Sequence, residues 1–131
     1  QIACRIGYDS QLSHRIFGAV DAYLMPSSIE TCGLAQLYSQ RYGAVPIVRR
    51  TGGLADSVRD LDDANPTGVV FDAPAVDALA QAVARAAACF ATPRRWRAVM
   101  RNGMASDHSW TRSAEAYLAL YRALVAPEAR A

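Results

Sequence analysis

Residues 25–37 read MPSSIETCGLAQL, and the rest of the chain is organised around this stretch. The strand predicted at Ala22–Met25 ends at Pro26, because proline has no backbone N–H to donate to a neighbouring strand. A polar loop with one carboxylate, Glu30, follows, and from Gly33 onward apolar residues recur at helical spacing. In an open parallel sheet, this order of strand, polar turn and helix N-terminus is typical of a site for a phosphorylated ligand. The unpaired N–H groups and the helix dipole attract anions there.

Length and composition indicate one globular domain. The chain has 131 residues, of which 52% are apolar and 20% charged, enough for one ordinary core. The formal charge of +2 is too small to indicate nucleic acid or a membrane as the main partner, and we predict neither. All 14 basic residues are arginine. No lysine of this chain is therefore available to clamp a phosphate or to form a Schiff base.

The cysteines and histidines do not form a metal-binding pattern. Cys4, Cys32 and Cys89 are widely spaced and odd in number, which favours a reducing, cytoplasmic environment over a disulfide framework. The two histidines are far apart, and His14 is interpreted as a helix-surface residue. The sequence therefore predicts no metal site and no cofactor. Cys32 is expected to be a small buried thiol rather than a nucleophile, because no histidine or second thiol lies near it in sequence.

Four short apolar segments predict the strands of one compact α/β unit with a parallel sheet. They are residues 2–6, Ala22–Met25, residues 45–48 and residues 68–71. Pro46 predicts that the third strand enters the sheet late. The polar residues 59–67 are interpreted as a surface loop.

Five amphipathic segments predict helices. The first covers residues 12–20 with Asp9 or Ser10 as its cap, the second covers residues 33–42 and ends at Gly43, and the others begin at Pro74, Pro93 and Ser109. The side chains expected to face the core are Leu34, Leu37, Tyr38 and Tyr42 in the second helix, Val76, Leu79, Ala80, Val83, Ala87 and Phe90 in the third, and Tyr117, Leu120, Tyr121 and Leu124 in the last. Trp96 and Trp110 are interpreted as core anchors.

A second glycine-rich turn, Thr51-Gly52-Gly53-Leu54, follows the third strand. Two glycines in a turn need no ligand. Their position one strand–helix unit after the Glu30 loop makes a ligand-binding role an equally good interpretation.

Residues 27–58, SSIETCGLAQLYSQRYGAVPIVRRTGGLADSV, resemble the C-terminal nucleotide-sugar domain of bacterial glycogen synthases and plant starch synthases. The stretches IGYDSQLSHRIFGAVDAYLMPS, GVVFDAPAVDALAQAV, WRAVM and SDHSWTRSAEAYLALY follow the same family in the same order. The resemblance implies a retaining glucosyltransferase with two Rossmann-like domains (the GT-B fold). Residues 1–131 would be the second half of its donor-binding domain. The start at Gln1 within an apolar segment is what an excised piece of a longer protein shows.

The resemblance also implies roles for individual residues. Glu30 stands where the family's glutamate contacts the donor glucose, and its alternative is a solvated loop carboxylate. Tyr8 matches a tyrosine that stacks near the adenine ring, with packing in a turn as its alternative. The other candidate substrate-binding residues are Thr31, Cys32, Gly33, Leu34, Thr51, Gly52 and Gly53. Among them, backbone N–H groups of residues 32–34 would face the distal phosphate.

This loop departs from the family's usual S-R-F-E-P-C-G-L-T-Q. The chain has Ser28 for arginine, Ile29 for phenylalanine, Thr31 for proline and Ala35 for threonine. Loss of the proline loosens the loop, and loss of the threonine hydroxyl removes a hydrogen bond, so weaker donor binding is expected. The family's phosphate-clamping arginine and lysine, and its acceptor-binding domain, lie in the preceding part of such an enzyme. The isolated chain is therefore predicted to be inactive.

The resemblance predicts a nucleotide-diphosphate glucose donor, an α-glucan acceptor and a missing N-terminal domain as partners. ADP-glucose and UDP-glucose both remain open. Another two-domain transferase or a sugar-nucleotide epimerase is the alternative among enzymes, and TCGLAQLY argues against both. From another class, the alternative is a stand-alone α/β half-domain that binds a nucleotide or a protein without chemistry.

The predicted topology leaves the first strand without its neighbours. In a doubly wound sheet of order 3-2-1-4-5-6 the four strands would be the third to the sixth, so the strands between residues 2–6 and Ala22–Met25 are missing. Residues 2–6 must then either pair with Ala22–Met25 to give four strands or pair with another molecule. Since an open apolar edge invites another chain, we expect self-association.

Overall fold

A computed structural model describes residues 2–125 of the chain. The elements within this range are α1 (Ser10–Ala19), β1 (Ala22–Met25), α2 (Ala35–Tyr42), β2 (Val45–Arg49), α3 (Gly52–Ser57), β3 (Val69–Phe71), α4 (Val76–Phe90), α5 (Pro93–Met104) and α6 (Trp110–Val125). The segment predicted as a second glycine-rich turn is thus a short helix, α3. The other helices begin and end close to the predicted residues.

The strands form one parallel sheet in the order β1-β2-β3, which confirms the predicted α/β class. Ala22 lies beside Val45, and Ile47 lies beside Val69. Pro46 is opposite Tyr23, while pairing with β3 begins only at Ile47. The expected late entry therefore holds on the β3 side of β2 and not on the β1 side.

The strand predicted at residues 2–6 is not formed, so the four-stranded sheet expected as one of two arrangements is wrong for a single chain. Residues 2–6 have no regular structure, and the side chains of Ile2 and Ile6 are 101% and 95% exposed. A strand is stabilised by backbone hydrogen bonds to a neighbour. These residues have no such neighbour within the part of the chain that the structure describes.

Local signals fix the ends of the helices. The Asp9 carboxylate accepts a hydrogen bond from the Leu12 N–H at 2.9 Å and caps α1 as predicted. Gly43 ends α2 in the left-handed conformation, with φ of 86°. The Ser109 hydroxyl accepts from the Arg112 N–H at 3.4 Å, so the predicted cap of α6 is present.

The core lies on both faces of the sheet, because successive side chains of a strand point to opposite sides. The larger cluster joins Val45, Ile47 and Phe71 to α4 and α5, where Trp96 is buried as predicted. The smaller cluster on the other face contains Val48, Leu54, Val58 and Val70.

The buried faces of three helices differ from the predicted ones. In α2 the buried side chains are Gln36, Ser39 and Gln40, whereas Leu34, Tyr38 and Tyr42 are exposed and Leu37 is half-buried. In α4 they are Ala82, Ala86 and Cys89, whereas Val76, Val83 and Phe90 are exposed. Small side chains let α4 approach the sheet closely, and the buried amides of α2 are hydrogen-bonded to neighbouring elements.

No residue of α6 is buried within the described chain. Its predicted apolar stripe, Tyr117, Leu120, Tyr121 and Leu124, is exposed, and Trp110, expected in the core, is 88% exposed. The prediction that these side chains are buried is therefore wrong for the described residues, although the helix itself is present.

The predicted surface loop at residues 59–67 contains a buried carboxylate. Asp60 accepts a hydrogen bond from the Val70 N–H at 2.6 Å and pairs with the guanidinium of Arg85, which also reaches Asp62 at 2.9 Å. Burial raises the pKa of Asp60, but the hydrogen bonds from Arg85 and Val70 outweigh it and hold the pKa below its ordinary value. Asp60 therefore ties this loop to β3 and α4.

We expect Asp60→Asn to lower the free energy of unfolding by about 1–3 kcal/mol at pH 7, because the Arg85 guanidinium loses its buried partner and keeps only the exposed Asp62. Since the folded-state pKa of Asp60 is below its unfolded value of about 3.9, its stabilisation is present above about pH 4 and is lost as the pH falls through the folded pKa. Denaturant unfolding at pH 7 and pH 3 measures both effects. Asp72→Asn, in the exposed pair with Arg50, is the control and should cost less than about 0.5 kcal/mol. Equal losses for the two variants would contradict the role of Asp60.

Candidate functional site

The segment that follows β1, residues 26–34, is called the Glu30 loop below. It lies at the carboxyl end of the parallel sheet and leads into α2. Gly33 has φ of 70°, and Leu34 is the N-cap of α2, so the helix begins two residues later than predicted. A residue with a side chain is strained at this φ, and a glycine relieves that strain. Glu30 itself is half-buried in this loop.

The Glu30 loop is in direct backbone contact with the start of α3. The Gly53 N–H donates to the Thr31 carbonyl at 3.1 Å. A Cβ atom on Gly52 would lie 1.8 Å from the Glu30 carbonyl oxygen, and one on Gly53 would lie 2.1 Å from that of Cys32. The two glycines are therefore needed for the close approach of two backbones. This need is present without any ligand.

Arg49, the last residue of β2, binds the first part of the Glu30 loop. Its guanidinium donates to the Ser27 carbonyl at 2.9 Å and to the Ser28 carbonyl, and it reaches the Asp72 carbonyl at 3.5 Å. The loop is thereby connected to the carboxyl ends of β2 and β3. Sequence reasoning missed this residue, because a bond to a main-chain carbonyl leaves no pattern in side-chain types.

Gln36 binds the last part of the Glu30 loop. Its amide nitrogen lies 3.2 Å from the Cys32 carbonyl, 3.0 Å from the Gly33 carbonyl and 3.1 Å from the Ser57 hydroxyl. The side chain is fully buried, and its Oε1 has no hydrogen-bond partner within residues 2–125. Sequence reasoning missed Gln36, because hydrophobic spacing places this residue on the polar face of the predicted helix and residue types alone do not show that it is buried.

Beside the loop is a groove of about 880 Å³ between α2, α3 and residues 102–113. Five of the predicted site residues line it: Thr31, Cys32, Gly33, Leu34 and Gly53. Glu30, Thr51 and Gly52 lie in the two contacting segments but do not line the groove. Cys32 is exposed, so the expected buried thiol is wrong. Cys32 lies near the end of the Glu30 loop, where no core residue covers its side chain.

The structure does not bring Tyr8 to this site. Tyr8 is 95% exposed in the irregular segment before α1 and does not line the groove. The prediction depended on a strand at residues 2–6, and without that strand nothing fixes Tyr8 at the edge of the sheet.

The far wall of the groove contains charged and titratable groups. The His108 ring lies 3.3 Å from Gln40 Oε1, and burial together with the charge of Arg112 lowers the pKa of this histidine. The hydrogen bond from the Ser109 N–H holds the pKa of Asp107 below its usual value. Arg59 and Arg112 add positive charge to this wall.

Residues 2–125 contain neither a metal-binding cluster nor a membrane-spanning helix. No group of three or more His, Cys, Asp or Glu among residues 2–125 is arranged to hold a metal ion. No helix in this range is long and apolar enough to cross a membrane.

The parallel sheet with flanking helices and a polar loop at its carboxyl edge defines an α/β domain. Residues 5–102 match the family model "Glycosyl transferases group 1", and the chain belongs to this family.

The chain is 52% identical over 125 residues to a glycogen synthase of Thioalkalivibrio sulfidiphilus, an alignment that covers 92% of this chain and 26% of that protein. It is 53% identical over 130 residues to a glycogen synthase of Burkholderia thailandensis, covering 95% and 24% of the two chains. The catalytic domain of starch synthase IV from Arabidopsis thaliana, solved bound to ADP and acarbose, superposes with a TM-score of 0.81 at 37% identity. That alignment covers 90% of this chain and 25% of the other. The chain thus spans about a quarter of the relatives that it matches, and the predicted resemblance is confirmed.

We expect Gly53→Ala to destabilise the fold by about 1–3 kcal/mol, because the new Cβ overlaps the Cys32 carbonyl and one backbone must move. Gly18→Ala in α1 is the control, since its Cβ would make only ordinary contact with Tyr42 at 3.5 Å and alanine favours a helix. Thermal unfolding of both variants measures the difference. A Gly53→Ala protein as stable as the original would contradict the backbone contact.

Proposed function

We propose that this chain is the donor-binding half-domain of a retaining glycosyltransferase that extends an α-1,4-glucan from ADP-glucose or UDP-glucose. The observation that carries the proposal is the identity of about half to glycogen synthases over more than nine-tenths of the chain, including the Glu30 loop. The solved relative was bound to a nucleoside diphosphate and an oligosaccharide analogue, ADP and acarbose, which supports the same two ligand classes.

Glu30 is proposed to hold the transferred sugar. Its carboxylate forms no hydrogen bond and no ion pair with side chains or backbone in residues 2–125. Its oxygens are therefore available to accept hydrogen bonds from sugar hydroxyls, and such charge-assisted bonds are strong. A carboxylate at the edge of the sheet, half-buried in a loop whose backbone is held on three sides, is suited to fixing a hydroxyl-bearing ligand.

The backbone after Glu30 is proposed to bind the diphosphate. The N–H groups of Cys32, Gly33 and Leu34 donate no hydrogen bond within residues 2–125, and they precede the positive end of the α2 dipole. Thr31, Thr51, Gly52 and Gly53 are proposed as the remaining contacts because they lie in the same two touching segments. Tyr8 keeps only the role that the resemblance implied.

The remainder of the proposed enzyme would supply further cations and the second wall of the cleft. Neutralisation of the leaving diphosphate needs cations, and a closed cleft is needed to exclude water from the reacting sugar. About three-quarters of each relative lies outside the matched part, which is room for both. We therefore propose that the chain acts only together with a preceding domain. We also propose that it acts in the cytoplasm, as the spacing of its cysteines favours.

In the complete enzyme, Glu30→Gln is expected to lower kcat by at least ten- to a hundredfold. One lost charge-assisted hydrogen bond is worth about 1.5–3 kcal/mol before any further contribution in the transition state. Glucan elongation is measured with ADP-glucose and with UDP-glucose. Asp77→Asn, an exposed acid in the first turn of α4, is the matched control and should leave turnover unchanged. A Glu30→Gln enzyme with normal turnover would remove Glu30 from the site.

The isolated 131-residue chain is expected to show no glucan elongation with either donor. Elongation by purified chain, free of any contaminating synthase, would mean that the diphosphate is neutralised by residues of this chain after all.

We also propose that the isolated chain self-associates. The edge of β1 that faces away from β2 pairs with no strand within residues 2–125, and Leu24 on β1 is exposed. The apolar stripe of α6 is exposed as well. An open strand edge and an apolar patch of this kind both favour association.

Light scattering during gel filtration should therefore give a mass above that of one chain. Replacement of Leu120 and Leu124 by serine should shift the mass toward the monomer, whereas Val76→Ser, at a still more exposed apolar position on α4, should not. A monomeric unmodified chain would refute self-association.

A further inference from the structure

We infer that Arg49 and Gln36 are positioning residues that hold the Glu30 loop from its two ends and thereby fix the Glu30 carboxylate. The inference rests on the proposed function for its catalytic consequence. The bracing of the loop is a property of this chain alone and is testable without it.

The Arg49 guanidinium is directed at backbone and not at an acid. Its bonds go to the carbonyls of Ser27 and Ser28, with a longer one to Asp72, and it has no ion pair within the described residues. The next residue, Arg50, binds the Asp72 carboxylate at 2.7 Å and has no bond to the loop. Of these two adjacent arginines, only Arg49 contacts the Glu30 loop.

Gln36 closes a ring of hydrogen bonds at the other end of the loop. Its amide reaches the Ser57 hydroxyl, which donates to the Gly53 carbonyl at 2.6 Å. The Gly53 N–H in turn donates to the Thr31 carbonyl, and the Gln36 amide also donates to the Cys32 and Gly33 carbonyls. The loop, α2 and α3 are thus joined through one buried side chain.

The loop has little order of its own. The side chains of Ser27, Ser28 and Thr31 form no hydrogen bonds within residues 2–125. Thr31 also lacks the fixed φ that a proline would give at this position. The backbone on either side of Glu30 is therefore held by bonds from outside the loop. Arg49 binds the carbonyls of Ser27 and Ser28, and Gln36 binds those of Cys32 and Gly33. The Gly53 N–H binds the Thr31 carbonyl between them.

If Arg49 positions Glu30, a change at Arg49 should alter kcat through the position of the Glu30 carboxylate. In the complete enzyme, Arg49→Lys is expected to lower kcat about tenfold or more with less than a threefold change in the donor KM, because a small misplacement of Glu30 is costly in the transition state. A lysine keeps the charge but cannot donate to two carbonyls in a fork geometry. Arg50→Lys is the control and should leave both constants unchanged.

The double variant tests whether Arg49 acts through Glu30. On a Glu30→Gln background, Arg49→Lys should lower kcat by less than twofold, because the carboxylate that it positions is already gone. Full additivity of the two losses would overturn the positioning role. Normal turnover of Glu30→Gln alone would overturn the proposed role of Glu30, and the hold of Arg49 and Gln36 on the loop is then tested by hydrogen exchange.

Amide hydrogen exchange on the 131-residue chain measures the brace directly. Exchange of the Gly53 amide, which donates to the Thr31 carbonyl of the loop, should be at least fivefold faster in Arg49→Lys and in Gln36→Met, with unchanged protection in β2 and β3. The controls are Arg50→Lys and Gln40→Met, which makes the same change at a buried glutamine of α2 with no bond to the loop. Unchanged exchange in the Arg49 and Gln36 variants, or equal acceleration in the controls, would overturn the inference.

Discussion

The contact between the backbone of the Glu30 loop and the first residues of α3 is the constraint on which the rest of this structure depends. Two carbonyl oxygens lie where the Cβ atoms of Gly52 and Gly53 would be. The approach brings the carboxyl ends of β1 and β2 together and places Ser57 where Gln36 can reach it. This contact joins the two segments that carry Thr31, Cys32 and Gly53 in the groove wall, while Arg49 and Gln36 hold the two ends of the loop.

The limits of the elements could be predicted from the sequence, whereas the buried faces of the helices could not. Asp9 and Gly43 act on the backbone within a few residues of themselves, so their effect is independent of the fold. In α2, however, Gln36 and Gln40 are buried because α3 supplies partners for their amides, while Leu34 faces solvent. Hydrophobic spacing predicts that the most apolar face of a helix is buried. In α2 the buried face is instead the one whose amides form hydrogen bonds with α3.

The candidate site was predictable where it follows chain order. Glu30 and Gly33 lie at the end of a strand and before a helix, which the residue types alone indicate. The structure does not bring Tyr8 to the groove, because the strand that would place it at the edge of the sheet is not formed. Arg49 was missed because a guanidinium bound to carbonyls looks in sequence like any other arginine.

The two strand pairs of the sheet, β1 with β2 and β2 with β3, each join strands that are consecutive along the chain. Ala22 pairs with Val45, and Ile47 pairs with Val69. Little chain entropy is therefore lost in forming either pair, since only one short helix and its loops are closed each time. Parallel sheets generally fold slowly, because their strands are far apart in sequence. Here the paired strands are close in sequence, which favours faster folding. The sheet can therefore assemble from its own sequence neighbours, without waiting for contacts from distant parts of a longer polypeptide.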